Sequence, residues 1–275
     1  MGPLITIPVI DPDDVRLDDY RRLQNQTIRR QIEDAGRFFI VEGWEAVRRL
    51  LLTKWEVRSV LVTQEKAQRL QGLDGPVPSF PRYVVPRDVL SQVVGFDLHR
   101  GIIASVVRPP HAEWRQVAAA GSRLAVLEGI NDHENLGAIF RSAAALGVDG
   151  LLMAPSVPDP LYRRSVRVSM GAVLMVPFAW FESWPDDLLR IKEMGFTVVA
   201  LTPDPSAELI ECIRIPMRVA LLLGAEGDGL TAPAIAAADR RVRIGQSGAL
   251  DSLNVGHAAA IAFHYFGAFH YLGKV

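Results

Sequence analysis

Three short stretches of the chain carry side chains able to do chemistry. The run Leu221-Leu222-Leu223-Gly224-Ala225-Glu226-Gly227-Asp228-Gly229-Leu230 is an apolar strand that ends in a glycine-rich turn holding the Glu226 carboxylate. Glycine lets a backbone adopt positive φ and come close to a ligand, so this turn suits recognition by backbone N–H and C=O groups. Its spacing is not the G-x-G-x-x-G of a dinucleotide fold. Upstream, Asn131-Asp132-His133-Glu134-Asn135-Leu136-Gly137-Ala138-Ile139-Phe140-Arg141 opens an apolar helix. Asn135 stands at a natural N-cap position there, Gly137 permits close approach of a backbone or phosphate, and Arg141 is a lone guanidinium among Ala138, Ile139, Ala143, Ala144 and Leu146. Downstream, Ser252-Leu253-Asn254-Val255 begins an Ala-rich apolar helix, and both Ser252 and Asn254 are good capping residues.

In this order the three stretches resemble the motifs of the SpoU (TrmH) family of RNA ribose 2′-O-methyltransferases, within the SPOUT superfamily. The resemblance covers residues 123–272 most specifically. It implies S-adenosylmethionine as cofactor. The matching cofactor-binding positions are Thr202, Leu222, Gly224, Glu226, Gly229, Ile244, Gln246 and Leu253, and the matching catalytic ones are Asn135, Arg141, Glu226, Ser252 and Asn254. The arginine at the position of Arg141 has been proposed in the family as general base. A guanidinium gives up its proton reluctantly, so a fork onto phosphate and ribose that stabilises the developing alkoxide is the other role open to it. Glu226 would orient Asn135 or Arg141, or offset the sulfonium charge. This chain departs from the family pattern at Gly245-Gln246, where Pro-Met usually stands, at Gly256-His257, where Ser-Val is usual, and at Asp132, a common proline.

Helices and strands must position these motifs. From Arg123 onward they alternate, with strands expected at Leu124–Leu127, Leu151–Met153, Val173–Val176, Phe196–Leu201, Val219–Leu223 and Arg241–Ile244. Helices are expected at Leu136–Leu146, Leu161–Ser169, Pro185–Met194, Pro233–Ala238 and Val255–Tyr271. Such alternation implies an α/β fold with a parallel sheet covered on both faces. Pattern alone predicts an unknotted chain. The resemblance implies a SPOUT-type sheet with a deep trefoil knot, its cofactor in the knotted loops, and an obligate homodimer through the last helix and the helix beginning near Leu136.

Residues 1–107 read as a smaller α/β domain. A polar helix is expected over 11–35, strands at Phe38–Val41, Val57–Val62, Tyr83–Val85 and Ile102–Val107, helices around Ala46–Leu51 and Glu65–Leu70, and a Pro/Gly loop at Gly72–Pro81. The segments Phe38–Gly43 and Arg100–Ala104 resemble the substrate-binding domain that often precedes the SpoU catalytic domain, which is similar to ribosomal proteins of the L30/L7 type. Residues 108–122, beginning Arg108-Pro109-Pro110, read as a linker, and 123–275 as the methyltransferase domain.

Composition narrows the function classes. With 49% hydrophobic and 22% charged residues the chain is globular. A net charge of −1 provides no global field for nucleic acid, so phosphate binding falls to local clusters such as Arg21/Arg22, Arg29/Arg30 and Arg163/Arg164/Arg167. The single Cys212 allows no internal disulfide and no cysteine-based metal site. His257, His264 and His270 read as interface residues rather than zinc ligands, so no metal is expected. The start Met1-Gly2-Pro3-Leu4 lacks the basic and apolar regions of a secretory signal, and Val255–Leu272 reads as a buried helix, not a membrane span. A cytoplasmic protein is expected. The function implied is methyl transfer from S-adenosylmethionine to a ribose 2′-hydroxyl of RNA, ribosomal RNA rather than tRNA. The alternatives are methylation of a base nitrogen and a catalytically silent RNA-binding ribosome-assembly protein.

Overall fold

The computed structural model describes residues 6–71, 80–98, 101–248 and 251–272. Most of the loop expected at Gly72–Pro81, and Arg100, lie outside the described residues, as does the side chain of His270. The chain divides into two compact units. One comprises Met1–Pro110 with Leu161–Leu174, and the other His111–Pro160 with Met175–Val275.

In chain order the elements are β1 (Thr6–Pro8), α1 (Gln26–Gly36), β2 (Phe38–Glu42), α2 (Trp44–Leu50), β3 (Val57–Thr63), α3 (Gln64–Gln71), β4 (Arg82–Val85), α4 (Arg87–Val94), β5 (Ile102–Val107), α5 (Trp114–Ala119), β6 (Arg123–Leu127), α6 (His133–Leu146), β7 (Gly150–Met153), α7 (Arg163–Val168), β8 (Phe178–Trp180), α8 (Asp187–Glu193), β9 (Thr197–Leu201), β10 (Glu208–Leu209), β11 (Val219–Leu223), α9 (Ala232–Ala237), β12 (Arg240–Arg243) and α10 (Val255–Leu272).

In the first unit, the described strands form a mixed sheet of order β1-β4-β3-β5-β2. The polar helix expected over 11–35 is two pieces. Asp14 accepts from the Arg16 N–H to start a 3-10 turn over Val15–Tyr20, Arg22 takes a positive φ of 56°, and Asn25 caps α1 by accepting from Ile28 N–H. Acidic residues that read as a helix start serve local caps instead. The segment Leu161–Leu174 packs within this unit: Arg163 pairs with Glu42 at 3.2 Å, and the Trp55 indole N–H donates to Leu174 O at 2.9 Å.

The second unit is built on a sheet of order β10-β12-β9-β11-β6-β7-β8, every neighbour parallel among the described strands. Central β11 is buried along its whole length, which is why Val219–Leu223 reads as a continuous apolar run. Leu124, Val126, Ala220 and Leu222 pack with Trp114, Leu188 and Ala234 of the helices on one face, and the alternate Ala125, Leu127 and Leu221 are equally buried. The strand expected at Val173–Val176 is not one. Ala172–Leu174 form a 3-10 turn, and the strand β8 begins only after Pro177. A short apolar run is buried in either conformation, so its periodicity does not separate them. The helix α4 went unread, although Val89, Leu90, Val93 and Val94 carry helical spacing. Among the described residues no helix is long and apolar enough to cross a membrane.

Asp149 ties the amino ends of β6 and β7 together. Its carboxylate accepts from the Ser122 N–H at 2.8 Å and the Arg123 N–H at 2.9 Å. Burial raises this carboxyl, but those hydrogen bonds and the Arg123 charge outweigh it and hold the group below its ordinary value. Asp149→Asn should therefore lower stability by about 1–2 kcal/mol at neutral pH. Because the folded state is the one with the depressed value, the stabilisation is complete above the unfolded pKa of ~3.9 and is lost as pH falls through the folded one. Urea unfolding should show a constant gap between wild type and variant down to about pH 5, closing below about pH 4.

Candidate functional site

Parallel sheets leave the carboxyl ends of their strands free to build a cleft. Here a cavity of about 350 Å³ sits beyond the ends of β9, β11 and β12, walled by Leu201-Thr202-Pro203, Leu223 to Gly227, Gly229, Ile244, Gln246 and the start of α10 through Ser252, Leu253, Asn254, Val255 and Ala258. Nearly every cofactor position expected from the sequence lines it: Thr202, Gly224, Glu226, Gly229, Ile244, Gln246 and Leu253. Leu222 does not, since its side chain is fully buried in the core and its neighbour Leu223 faces the cavity.

The turn after β11 is closed on itself. Ala225 and Gly229 exchange backbone hydrogen bonds of 3.1 and 3.2 Å, with Gly227 and Gly229 at positive φ. A Cβ at Gly224 would lie 2.5 Å from Leu230 N and 2.7 Å from Gly229 O, so this glycine is required by the turn's own backbone rather than by open space for a ligand. Gly129 lets the loop after β6 approach the same turn, for a Cβ there would come within 3.1 Å of Ala225 Cβ. Glu128, which sequence reasoning missed, holds the far side. This buried carboxylate accepts from the Thr231 N–H and hydroxyl, both at 2.8 Å, and from the Trp184 indole N–H at 2.6 Å. Thr231 caps α9, so Glu128 fixes where the turn ends. A lone acid after a strand gives no sequence signal for that role.

The polar groups of the three motifs converge on Asn254. Its Nδ2 donates to Asn135 Oδ1 at 2.8 Å and to Glu226 Oε1 at 2.5 Å, and its Oδ1 accepts from the Gly256 and His257 N–H groups at 3.0 and 3.3 Å. Asn254 is thus the expected cap of α10. Asn135 is not the cap of α6. Asp132 takes that place by accepting from the Glu134 N–H, and α6 begins at His133, leaving Asn135 buried in the first turn. Ser252 lines the cavity without a hydrogen bond to any described residue. Arg141 lies on α6 outside the cavity lining, exposed, and makes no hydrogen bond or ion pair with any described residue. At the rim, Thr202 Oγ1 accepts from the Asp204 N–H at 3.2 Å, and the Ser206 N–H holds the Asp204 carboxyl below its ordinary value.

The small residues of α10 serve α6 of the same chain. A Cβ at Gly256 would be 3.2 Å from Ala138 Cβ, and one at Gly267 would be 2.7 Å from Leu146 O. His257, Ile261 and His264 remain exposed on the opposite face. Three of the arginines read as phosphate ligands are committed within the first unit: Arg21 pairs with Asp18 at 2.9 Å, Arg29 is buried against Glu33 at 2.7 Å, and Arg163 is half-buried against Glu42.

Comparison with known proteins gives a consistent picture. The model of the SpoU rRNA Methylase family matches residues 122–264. An uncharacterized tRNA/rRNA methyltransferase of Mycobacterium tuberculosis is 45% identical over 93% of this chain and 90% of its own length. The 23S rRNA (guanosine-2'-O-)-methyltransferase RlmB of Nitrosomonas europaea is 31% identical over 64% of this chain and 68% of its own. A solved RNA 2'-O ribose methyltransferase superposes with a TM-score of 0.77 at 27% identity, covering 97% of this chain and 100% of that one.

The packing of Gly224 has a measurable consequence. Gly224→Ala should cost about 1–3 kcal/mol, as overpacking does, and Gly224→Val more. The loss should appear as a lower melting temperature in the absence of any ligand. A ligand-free Gly224→Ala protein that melts with wild type would show that the turn tolerates a side chain.

Proposed function

Because the chain belongs to the SpoU rRNA methylase family, we propose that it transfers a methyl group from S-adenosylmethionine to a ribose 2′-hydroxyl of RNA, in ribosomal RNA rather than tRNA. Its membership makes it an S-adenosylmethionine-dependent RNA methyltransferase. The observation that carries the ribose reading is the joining of Glu226 and Asn254, which line the cavity, to buried Asn135, which does not, in one hydrogen-bonded group. The names of the Nitrosomonas relative and of the solved 2'-O ribose enzyme support the same chemistry, the former also ribosomal RNA.

The cavity's residues fit the cofactor. Leu201, Leu223, Ile244, Leu253 and Val255 offer apolar walls for an adenine, and the backbone around Gly224–Gly229 offers donors and acceptors to its edge. Glu226 places a carboxylate where a cationic ligand would lie. Bound there, S-adenosylmethionine supplies a methyl group activated on a sulfonium. The protein's part is to hold acceptor and donor in line and to stabilise charge on the 2′-oxygen. Arg141, free of protein partners among the described residues, is assigned to the ribose and its phosphate. Ser252 positions the cofactor and target nucleotide, and Asn254 acts there through the hydrogen bonds it makes to Asn135 and Glu226.

The proposal extends to the rest of the molecule. Residues 1–107, read as a domain, form an RNA-binding unit of the ribosomal-protein type, in which segment 161–174 also packs; residues 123–275 outside that segment form a catalytic unit whose cavity loops are knotted, joined by α5 from the stretch 108–122 expected as a linker. A homodimer forms through the last helix, for which the exposed face of His257, Ile261 and His264 is available. The direct test is methyl transfer from labelled cofactor to 23S ribosomal RNA and to tRNA in parallel. Label on ribosomal RNA is expected, and label confined to tRNA would refute the substrate assignment.

Arg141→Ala should lower turnover by ~10²–10⁴ with little change in cofactor affinity by calorimetry. Arg141→Lys separates the two roles. A bidentate fork leaves lysine nearly as damaged as alanine, and we expect that result. A role in proton removal would let lysine recover much activity.

A further inference from the structure

We propose that Asn254 is a positioning residue that decides which end of the Asn135 amide faces the target ribose, an inference that rests on the ribose-methylation reading. An amide side chain has two ends of equal shape and opposite chemistry. At Asn254 the backbone settles the choice. Its oxygen faces the Gly256 and His257 N–H groups, which can only donate, at 3.0 and 3.3 Å. The nitrogen must then face Asn135 and Glu226, and each of its two protons has an acceptor, at 2.8 and 2.5 Å. Two donated and two accepted hydrogen bonds use the full capacity of this group. Turning it over would set N–H against N–H at the helix start and oxygen against the Glu226 carboxylate.

That lock passes to Asn135. Only its oxygen can receive the Asn254 proton, so its nitrogen points away, and neither of its protons goes to a described residue. Asn135 is 8% exposed on the first turn of α6, so packing leaves it little freedom to rotate. The site therefore presents a donor at this point and not an acceptor. A donor strengthens its hold as the hydroxyl proton leaves to solvent and negative charge grows on the ribose 2′-oxygen that takes the methyl group, whereas an acceptor would hold that proton in place. Asn135 Nδ2 thus binds the 2′-oxygen. Asn254 sets that polarity through the helix start, and Glu226 holds the second Asn254 proton.

A helix cap alone would not need asparagine, since Asn, Asp and Ser cap about equally well. Asn254→Asp and Asn254→Ser keep the cap oxygen and lose the amide protons. Turnover on ribosomal RNA should fall ~10²-fold in both, with the KM for RNA near wild type; Asn254→Ser should also keep its melting temperature, whereas Asn254→Asp sets a second carboxylate against Glu226 and should melt lower. Asn135→Asp should do the same, and the Asn135→Asp/Asn254→Ser double variant should be no worse than the weaker single variant. Wild-type turnover in either folded Asn254 variant, or additive losses in the double, would overturn the proposal. A wild type that places no methyl on ribose would instead defeat the functional reading beneath it. If both Asn254 variants unfold, hydrogen exchange in the wild type decides. The Asn135 side-chain protons should exchange faster than those of Asn254, and the reverse order would refute the amide assignment.

Discussion

The turn between β11 and α9 closes only because no side chain stands at position 224. The Gly229–Leu230 backbone comes so near the Gly224 Cα that a single methyl group would collide with it. Everything at the cavity follows from that closeness. The Ala225–Gly229 backbone pair shapes the turn, Gly129 lets the neighbouring loop pack on it, and Glu128 pins its exit at Thr231. Glu226 is carried on this backbone-closed turn, where it meets Asn254. A carboxylate on a floppy loop would lose that contact to water. On a turn held by its own backbone, the ordering cost falls on the fold and not on ligand binding.

Hydrogen bonding then joins segments that lie far apart in the chain. Asn135 belongs to the helix after β6, Glu226 to the turn after β11 and Asn254 to the start of α10. One amide touches all of them. The same group that satisfies the open N–H groups of α10 therefore sets the geometry of the polar site. Structure and chemistry share a residue here, which is why a cap at this position carries more than helix stability.

Much of this was legible in the sequence, for physical reasons. The buried parallel strands read as apolar runs, and the three motifs are recognisable because, taken together and in this order, they resemble those of the SpoU family. Asn254 was readable as a cap. Asn135 was misread as one, because Asp132 lies three residues earlier and caps equally well, and only the structure shows which residue the helix chose. Gly224 is readable as a point of close approach, and the structure adds that the Gly229–Leu230 backbone is one partner in that approach, at a position that also lines the cavity. Glu128 had no signal, because its partners Trp184 and Thr231 are distant in sequence. The Val173–Val176 strand failed because burial, not conformation, had set the residue types. The small residues of α10 admit a close neighbouring helix, and that neighbour, α6, lies in the same chain.

The central claim is that the cavity and its amide–carboxylate group direct a methyl group to ribose oxygen. The most direct test is to label ribosomal RNA with the purified protein and methyl-labelled S-adenosylmethionine, then hydrolyse the RNA in alkali. Alkaline cleavage needs a free 2′-hydroxyl, so a 2′-O-methylated nucleotide survives as a dinucleotide. The account predicts the label in an alkali-resistant dinucleotide. Label released as a mononucleotide would place the methyl on a base and contradict it.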